Sequence, residues 1–331
     1  MIIKQILFLI LFYYFLIMYT LLLGVPALLL NNNKIINIVK KFGQDLSIYI
    51  INNLNIKLFL AETEQEIQFT NPDLIDVIVA NHKSSIDFII LISLLKYLKI
   101  YNYNFVLKKD ITLIPGLGFI MYTNDDITIN RNWETDQDNI NNQLNDLMKN
   151  DDNKKKVIII FPEGTRYNNT KLIESQKFAT ENNYEPYNYL LFPKTKGLWF
   201  IINTLSNQNK LGKIWDLTII YPNSIKNSLY LTDLTNKLLN SINFIIKEIK
   251  LPNNYQDKDI FKKWFLDIWK TKDDIIKNNK NIIYKKININ YDLQSIKIIN
   301  IINTIGFILL FNNNGRIYLL ISLILSYILM I

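Results

Sequence analysis

Val79-Ala80-Asn81-His82-Lys83-Ser84-Ser85-Ile86-Asp87-Phe88 holds the only histidine among 331 residues. The apolar run Leu74 to Ala80 before it predicts a buried strand carrying one acid, Asp76. The run Phe88 to Leu95 after it predicts a helix, so His82 falls where strand turns into helix. In α/β sheets the carboxyl ends of strands are where sites collect. Imidazole is also the one side chain whose ordinary pKa suits proton transfer near neutral pH.

His82 and Asp87 are five positions apart. On one continuous helix they would point about 140° apart, at about 100° per residue. They meet if His82 lies in the loop and Asp87 in the first helical turn, with Ser84 or Ser85 as N-cap. The carboxylate would then fix the imidazole tautomer and leave the second nitrogen as a base. A structural reading stands beside this one, because Ser84-x-x-Asp87 also resembles a capping box with Asp in place of Glu.

Composition narrows the function classes. No cysteine is present, which excludes disulfides, thiolate metal sites and a cysteinyl acyl-enzyme; with one histidine no metal site is expected. A net charge of +8 suits an anionic membrane surface or phosphorylated substrates. No nucleic-acid motif or basic arm accompanies it, so no nucleic-acid partner is expected. The 49% hydrophobic content is high for a soluble protein, and the excess sits at the two ends of the chain.

Ile6 to Leu30 contains no charge. Ile6 to Leu23 alone would reach about 27 Å as a helix, close to the roughly 30 Å of a hydrocarbon core. No A-x-A-like cleavage site follows, so residues 1–33 are expected to be a retained membrane anchor. Lys34, Lys40 and Lys41 after it against Lys4 before it favour a cytosolic catalytic domain. Ile298 to Phe311 and Ile317 to Ile331 reach only about 21–23 Å each. Residues 296–331 are therefore expected to form a re-entrant or tilted hydrophobic hairpin, or a pair of interfacial helices.

Between these ends, residues 34–290 predict one domain. Ile48 to Phe59 fits helix or strand. Strands are expected at Asn104 to Leu107, Ile127 to Ile129, Val157 to Phe161, Tyr189 to Phe192 and Trp215 to Tyr221. Helices are expected at Glu134 to Asn150, Lys171 to Asn183, Leu198 to Leu205, Leu234 to Lys250 and Ile260 to Lys277. Pro115, Gly116 and Gly118 mark a turn. The strand ending at Phe161 stops in Pro162-Glu163-Gly164-Thr165-Arg166, again at a carboxyl end. There an arginine can bind phosphate bidentately, or simply pair with Glu163 in a surface turn.

Asn81-His82-x-x-x-x-Asp87, Arg131 and Phe161-Pro162-Glu163-Gly164-Thr165-Arg166, in this order, resemble the 1-acyl-glycerol-3-phosphate acyltransferase family. The resemblance covers about Ile78 to Leu198. Val106-Leu107-Lys108-Lys109 with Ile114-Pro115-Gly116-x-Gly118, and Leu191-x-Pro193-Lys194-Thr195-Lys196-Gly197, look like its eukaryotic branch of lysophosphatidic acid, lysophosphatidylinositol and lysocardiolipin acyltransferases. That branch usually has arginine where this chain has Lys194. The resemblance implies an α/β fold, a mostly parallel sheet flanked by helices. It implies an endoplasmic reticulum membrane enzyme with lysophospholipid and acyl-CoA as partners, acyl-CoA being a co-substrate and no cofactor being needed. His82 and Asp87 would be catalytic. Arg131, Glu163, Gly164, Thr165 and Arg166 would bind the acceptor's glycerol phosphate, and Pro193 and Lys194 would sit in a loop for acyl-CoA or acceptor.

Overall fold

The computed structural model describes all residues except 1–5, 7–9, 11–12, 15, 19, 31–32, 64–65, 115–116, 131, 150–154, 225–227, 231–232, 234–238 and 329–331. After a short helix, Val25–Leu29, come α1 (Asn33–Asn53), β1 (Lys57–Ala61), β2 (Ile75–Ala80), α2 (Asp87–Tyr97) and β3 (Asn102–Lys108). Then follow α3 (Leu117–Thr123), β4 (Ile127–Ile129), α4 (Trp133–Lys149), β5 (Lys156–Ile160), α5 (Asn169–Glu181) and α6 (Thr195–Asn207). The chain continues with β6 (Leu211–Ile220), β7 (Ser241–Ile249), α7 (Lys258–Lys277), β8 (Tyr284–Ile287), α8 (Leu293–Leu310) and α9 (Asn313–Ile328).

One sheet of 8 strands runs in the order β4-β3-β5-β2-β6-β7-β1-β8. The block β4-β3-β5-β2-β6 is parallel throughout. β7 runs antiparallel to β6, β1 lies parallel to β7, and β8 closes the edge antiparallel to β1. The expected mostly parallel sheet flanked by helices is therefore the architecture. Parallel strands covered on both faces are apolar on both faces, and β2 is buried at every position. Ile78 and Ala80 face one layer, with Ile89, Ile90 and Leu94 of α2. Val77 and Val79 face the other, with Phe261, Phe265 and Trp269 of α7. Asp76 is tolerated in this strand because Thr70 N–H and Oγ1, Lys213 N–H and Trp215 Nε1 all donate to it.

Two expected elements differ. Leu234 to Lys250 contains the strand β7, and residues 234–238 lie outside the described ones. Ile242, Phe244 and Ile246 are its buried positions, a period of two that outweighs the helical spacing. Tyr189 to Phe192 makes no strand. Its backbone N–H groups go to side chains instead: Tyr189 and Leu190 to Asp273 Oδ1, Leu191 to Glu163 Oε2, and Phe192 to Ser175 Oγ. With those donors taken, no ladder forms.

The apolar ends meet. Met18, Leu21 and Leu319 are buried together, and Tyr14 Oη donates to the Asn303 carbonyl at 2.7 Å. Asp45 of α1 pairs with Lys96 of α2 and accepts Asp292 N–H just before α8. α8 is long and apolar enough to cross a membrane by length and composition, and only 22% of it is buried.

Candidate active site

Neighbouring strands β5, β2 and β6 point their carboxyl ends the same way, so three loops converge there. Residues 81–86 follow β2, residues 161–168 follow β5, and Tyr221 follows β6. Asn81 clamps the first loop to β6: its Nδ2 donates to Ile219 O at 3.0 Å and its Oδ1 accepts Ile219 N–H at 2.8 Å. Tyr167 N–H donates to His82 O at 2.8 Å, and Lys194 N–H donates to Pro162 O at 2.7 Å. The loops brace one another.

His82 and Asp87 are brought together, His82 Nδ1 lying 2.9 Å from Asp87 Oδ2. The helix α2 starts at Asp87 itself, and its N-cap is Ile86 with no capping side chain. Neither Ser84 nor Ser85 is the N-cap. Asp87 acts on the loop instead, its Oδ2 also accepting the N–H groups of Lys83 at 2.7 Å and Ser84 at 2.9 Å. The carboxylate is fully buried, whereas the His82 side chain is 23% exposed. Phe161 stacks on the imidazole with ring centres 4.4 Å apart. With Nδ1 directed at the carboxylate, Nε2 is the nitrogen left for chemistry.

Glu163 is 3% exposed and points inward. Its Oε1 accepts His82 N–H at 2.8 Å and its Oε2 accepts Leu191 N–H at 3.2 Å. Burial pushes its carboxyl up to about 8, against the pull of those two N–H groups and of Lys272. Gly164 has φ +65°, a left-handed conformation that a side chain would strain, and a Cβ there would lie 3.3 Å from Lys194 Cδ. The Lys194 side chain therefore lies over the turn at Gly164, and Thr165 after it is half-buried. Arg166 is exposed, its Nη1 donating to Ser85 Oγ at 2.8 Å. Its guanidinium lies 5.8 Å from the Tyr230 ring centre. Arg131 lies outside the described residues. Beside it, Asn130 N–H donates to Asp136 Oδ1 at 2.7 Å, fixing the entry to α4.

Three residues of this region escaped the sequence reading. Tyr221 is buried and its hydroxyl donates to Asp87 Oδ1. Lys83 is buried with Nζ 3.3 Å above the Tyr167 ring; burial pushes its ammonium down to about 7, opposed by Glu163 and Asp87. Lys272 of α7 is fully buried, 2.7 Å from Asp216 Oδ1, and donates to the carbonyls of Val79 and Leu217. Burial lowers its pKa and the Asp216 carboxylate opposes that. A lysine inside the apolar stripe Phe261, Phe265, Trp269, Ile276 was the available signal, since a charge there needs a buried partner.

The family model described as Acyltransferase matches residues 66–202, which contain both loops. Lysophosphatidylinositol acyltransferase 10 of Caenorhabditis elegans is 30% identical over 217 residues, 64% of this chain and 54% of that protein. Lysocardiolipin acyltransferase 1 of Danio rerio is 32% identical over 150 residues, 45% of this chain and 38% of that one. A probable 1-acyl-sn-glycerol-3-phosphate acyltransferase 5 of Arabidopsis thaliana is 29% identical over 204 residues, 60% and 52% of the two chains. The aligned stretches span about half the length of these relatives or less. Among solved structures, the 1-acyl-sn-glycerophosphate acyltransferase PlsC of Thermotoga maritima aligns with TM-score 0.48 and 15% identity, over 83% of this chain and 97% of that one. The stretch that matches the acyltransferase family model, residues 66–202, takes in His82, Asp87 and the Glu163–Arg166 turn, all gathered at one sheet edge.

Proposed function

We propose that this chain transfers an acyl group from acyl-CoA to the free hydroxyl of a lysophospholipid, with 1-acyl-sn-glycerol-3-phosphate as acceptor and phosphatidic acid as product. Lysophosphatidylinositol and lysocardiolipin are the alternative acceptors. The observation that carries this reading is the Asp87-bound Nδ1 of His82, which leaves Nε2 to take the hydroxyl proton. The hydroxyl oxygen then attacks the thioester carbonyl. The tetrahedral intermediate collapses with loss of the CoA thiolate, which takes the proton back from His82. No covalent enzyme intermediate is required, in keeping with a chain that has no cysteine.

Glu163 holds the His82 loop from behind, and the exposed Arg166, a residue with five N–H donors, supplies the acceptor's phosphate site. Arg131 joins it in this assignment, and Lys194 lies on the same side through its contact with Gly164. A lipid hydrolase using Ser84 or Ser85 as nucleophile is disfavoured, because Ser84 is fully buried with its Oγ donating to Leu229 O, and Ser85 Oγ accepts from Arg166 Nη1. The exposed apolar faces of α8 and α9 rest in the bilayer, which spares both amphiphilic substrates about 0.8 kcal/mol per CH₂ of transfer through water. The membrane is that of the endoplasmic reticulum, with the catalytic domain on the cytosolic side.

The test is purified protein with labelled oleoyl-CoA and a panel of lysophosphatidic acid, lysophosphatidylinositol and lysocardiolipin. Transfer to lysophosphatidic acid, lost in His82→Ala, is the expected result. Acyl transfer or hydrolysis without an acyl-CoA would replace this reading with a transacylase or hydrolase.

A further inference from the structure

Tyr221 follows β6 directly, and β6 is the strand beside β2. The ring is 2% exposed. Its hydroxyl donates to Oδ1 of Asp87, while Oδ2 of the same carboxylate serves His82 Nδ1 and the N–H groups of Lys83 and Ser84. The two oxygens thus have separate duties. Oδ2 holds the loop and the imidazole; Oδ1 is held from the neighbouring strand.

We propose that Tyr221 is a positioning residue of the acyl-transfer site, whose hydroxyl fixes the Asp87 carboxylate and moderates its grip on the His82 imidazole. This rests on the assignment of His82 as the base. A phenylalanine would fill the same core volume, so packing alone does not explain a hydroxyl there; a buried phenol needs a partner, and this one has a charged partner. Burial first, and the Asp87 charge next, hold the phenol protonated well above its ordinary range, so it donates throughout the physiological range. A carboxylate that accepts one donor fewer binds protons more tightly, whether its own or the imidazole's. The hydroxyl therefore keeps the base able to release its proton to the leaving thiolate. The other groups facing Asp87 are Lys83 and Ser84 on its own loop and Glu163 from the loop after β5. All of them remain in Tyr221→Phe.

A single histidine makes the test direct, because ¹⁵N-histidine labelling of the full chain in detergent reports His82 alone. In Tyr221→Phe the imidazole ¹⁵N titration is expected to move to higher pH, with kcat down about tenfold and both KM values held. Replacement of Tyr221 by 3-fluorotyrosine, a stronger donor of nearly the same shape, is expected to move the midpoint down; that variant decides the matter if Tyr221→Phe does not fold. Tyr221→Phe should add little to the loss in Asp87→Asn, as expected of residues acting through one another. An unmoved midpoint in the folded variants, or losses that multiply in the double variant, would overturn the proposal. His82→Ala with normal turnover would instead overturn the base assignment, while the labelled midpoint would still report whether Tyr221 acts on His82.

Discussion

The carboxyl of Glu163 accepts the backbone N–H of His82 at 2.8 Å across 81 residues of chain, and with its other oxygen it accepts Leu191 N–H. One side chain thereby pins three loops. Glu163→Gln would present an NH₂ to one of two buried N–H donors. A buried donor left unsatisfied costs about 1–3 kcal/mol, which lowers Tm by about 2–6 °C in a domain of this size. Activity should fall through kcat, with the acceptor KM little changed. Thermal unfolding and a two-substrate kinetic series check this; a raised acceptor KM at unchanged Tm would put Glu163 on the substrate.

The same carboxyl makes stability depend on pH. Its folded-state pKa, pushed up to about 8 from the ordinary 4.5 by burial, means the folded protein holds a proton that the unfolded chain releases. That contribution is fully present below about pH 4.5 and is lost as pH rises through about 8. Asp126, pushed up to about 7 by burial, acts with the same sign over a lower window. The thermal midpoint of the wild type should decline across this range, and Glu163→Gln should flatten the decline. Equal slopes for the two proteins would show that Glu163 ionises normally.

Lys83 has the opposite sign. Burial lowers its pKa from the ordinary 10.5 to about 7. Below pH 7 both folded and unfolded states carry the charge, so nothing changes with pH. Between about 7 and 10.5 only the unfolded chain is protonated, and the wild type gains stability as pH rises. Measured against Lys83→Met, the wild type should therefore gain steadily from pH 7 to 10.5. A constant difference would place the ammonium in water.

The part of this site legible in the sequence is the part written by local pattern. A continuous apolar run fixed β2, and the interruption after Ala80 put His82 at the strand's end. Gly164 and Pro162 marked the second turn. Illegible were the groups whose partners come from far along the chain. Tyr221 reads as one more strand aromatic until Asp87, 134 residues away, is beside it. Tyr189 to Phe192 looks like a strand until Asp273, Glu163 and Ser175 take its donors. β7 lay in a stretch where spacings of two and of three to four both fit, and its place between β6 and β1 decided the matter. Ser84 reads as a cap, and the cap role vanished because Asp87 gathers the loop's N–H groups from the other side.

Arg166 separates acceptor binding from chemistry. Its exposed guanidinium is bonded to Ser85 Oγ, only three residues from His82; if it holds the acceptor's phosphate as proposed, the attraction acts in ground and transition states alike. Arg166→Lys keeps the charge and loses the paired hydrogen bonds. At about 1.5–3 kcal/mol for one charge-assisted bond, the acceptor KM should rise roughly ten- to hundredfold, with a smaller fall in kcat. If the KM for acyl-CoA rises and the acceptor KM does not, Arg166 binds the CoA phosphates.

The apolar ends provide a last test, because Gly306 of α8 sits against the N-terminal segment. A Cβ at Gly306 would lie 2.6 Å from Met18 Sδ and 3.3 Å from Leu22 Cδ1. Deleting residues 1–33 should uncover this notch and the buried Leu319, lowering stability. It should not release the protein from membranes. Phe307, Ile308, Phe311 and Leu320 are each more than half exposed, at 55%, 61%, 74% and 58%. Full burial of such side chains is worth about 1.5–3 kcal/mol each, so if α8 and α9 rest in the bilayer as proposed, their outward faces should hold the domain there without the first segment. Gly306→Leu should weaken the same contact within the full chain, since a branched side chain cannot share the space as an alanine could once Met18 bends aside. The measurements are partition between membrane and soluble fractions and thermal unfolding in detergent. A fully soluble deletion variant would mean that α8 and α9 turn those faces onto protein and not onto lipid.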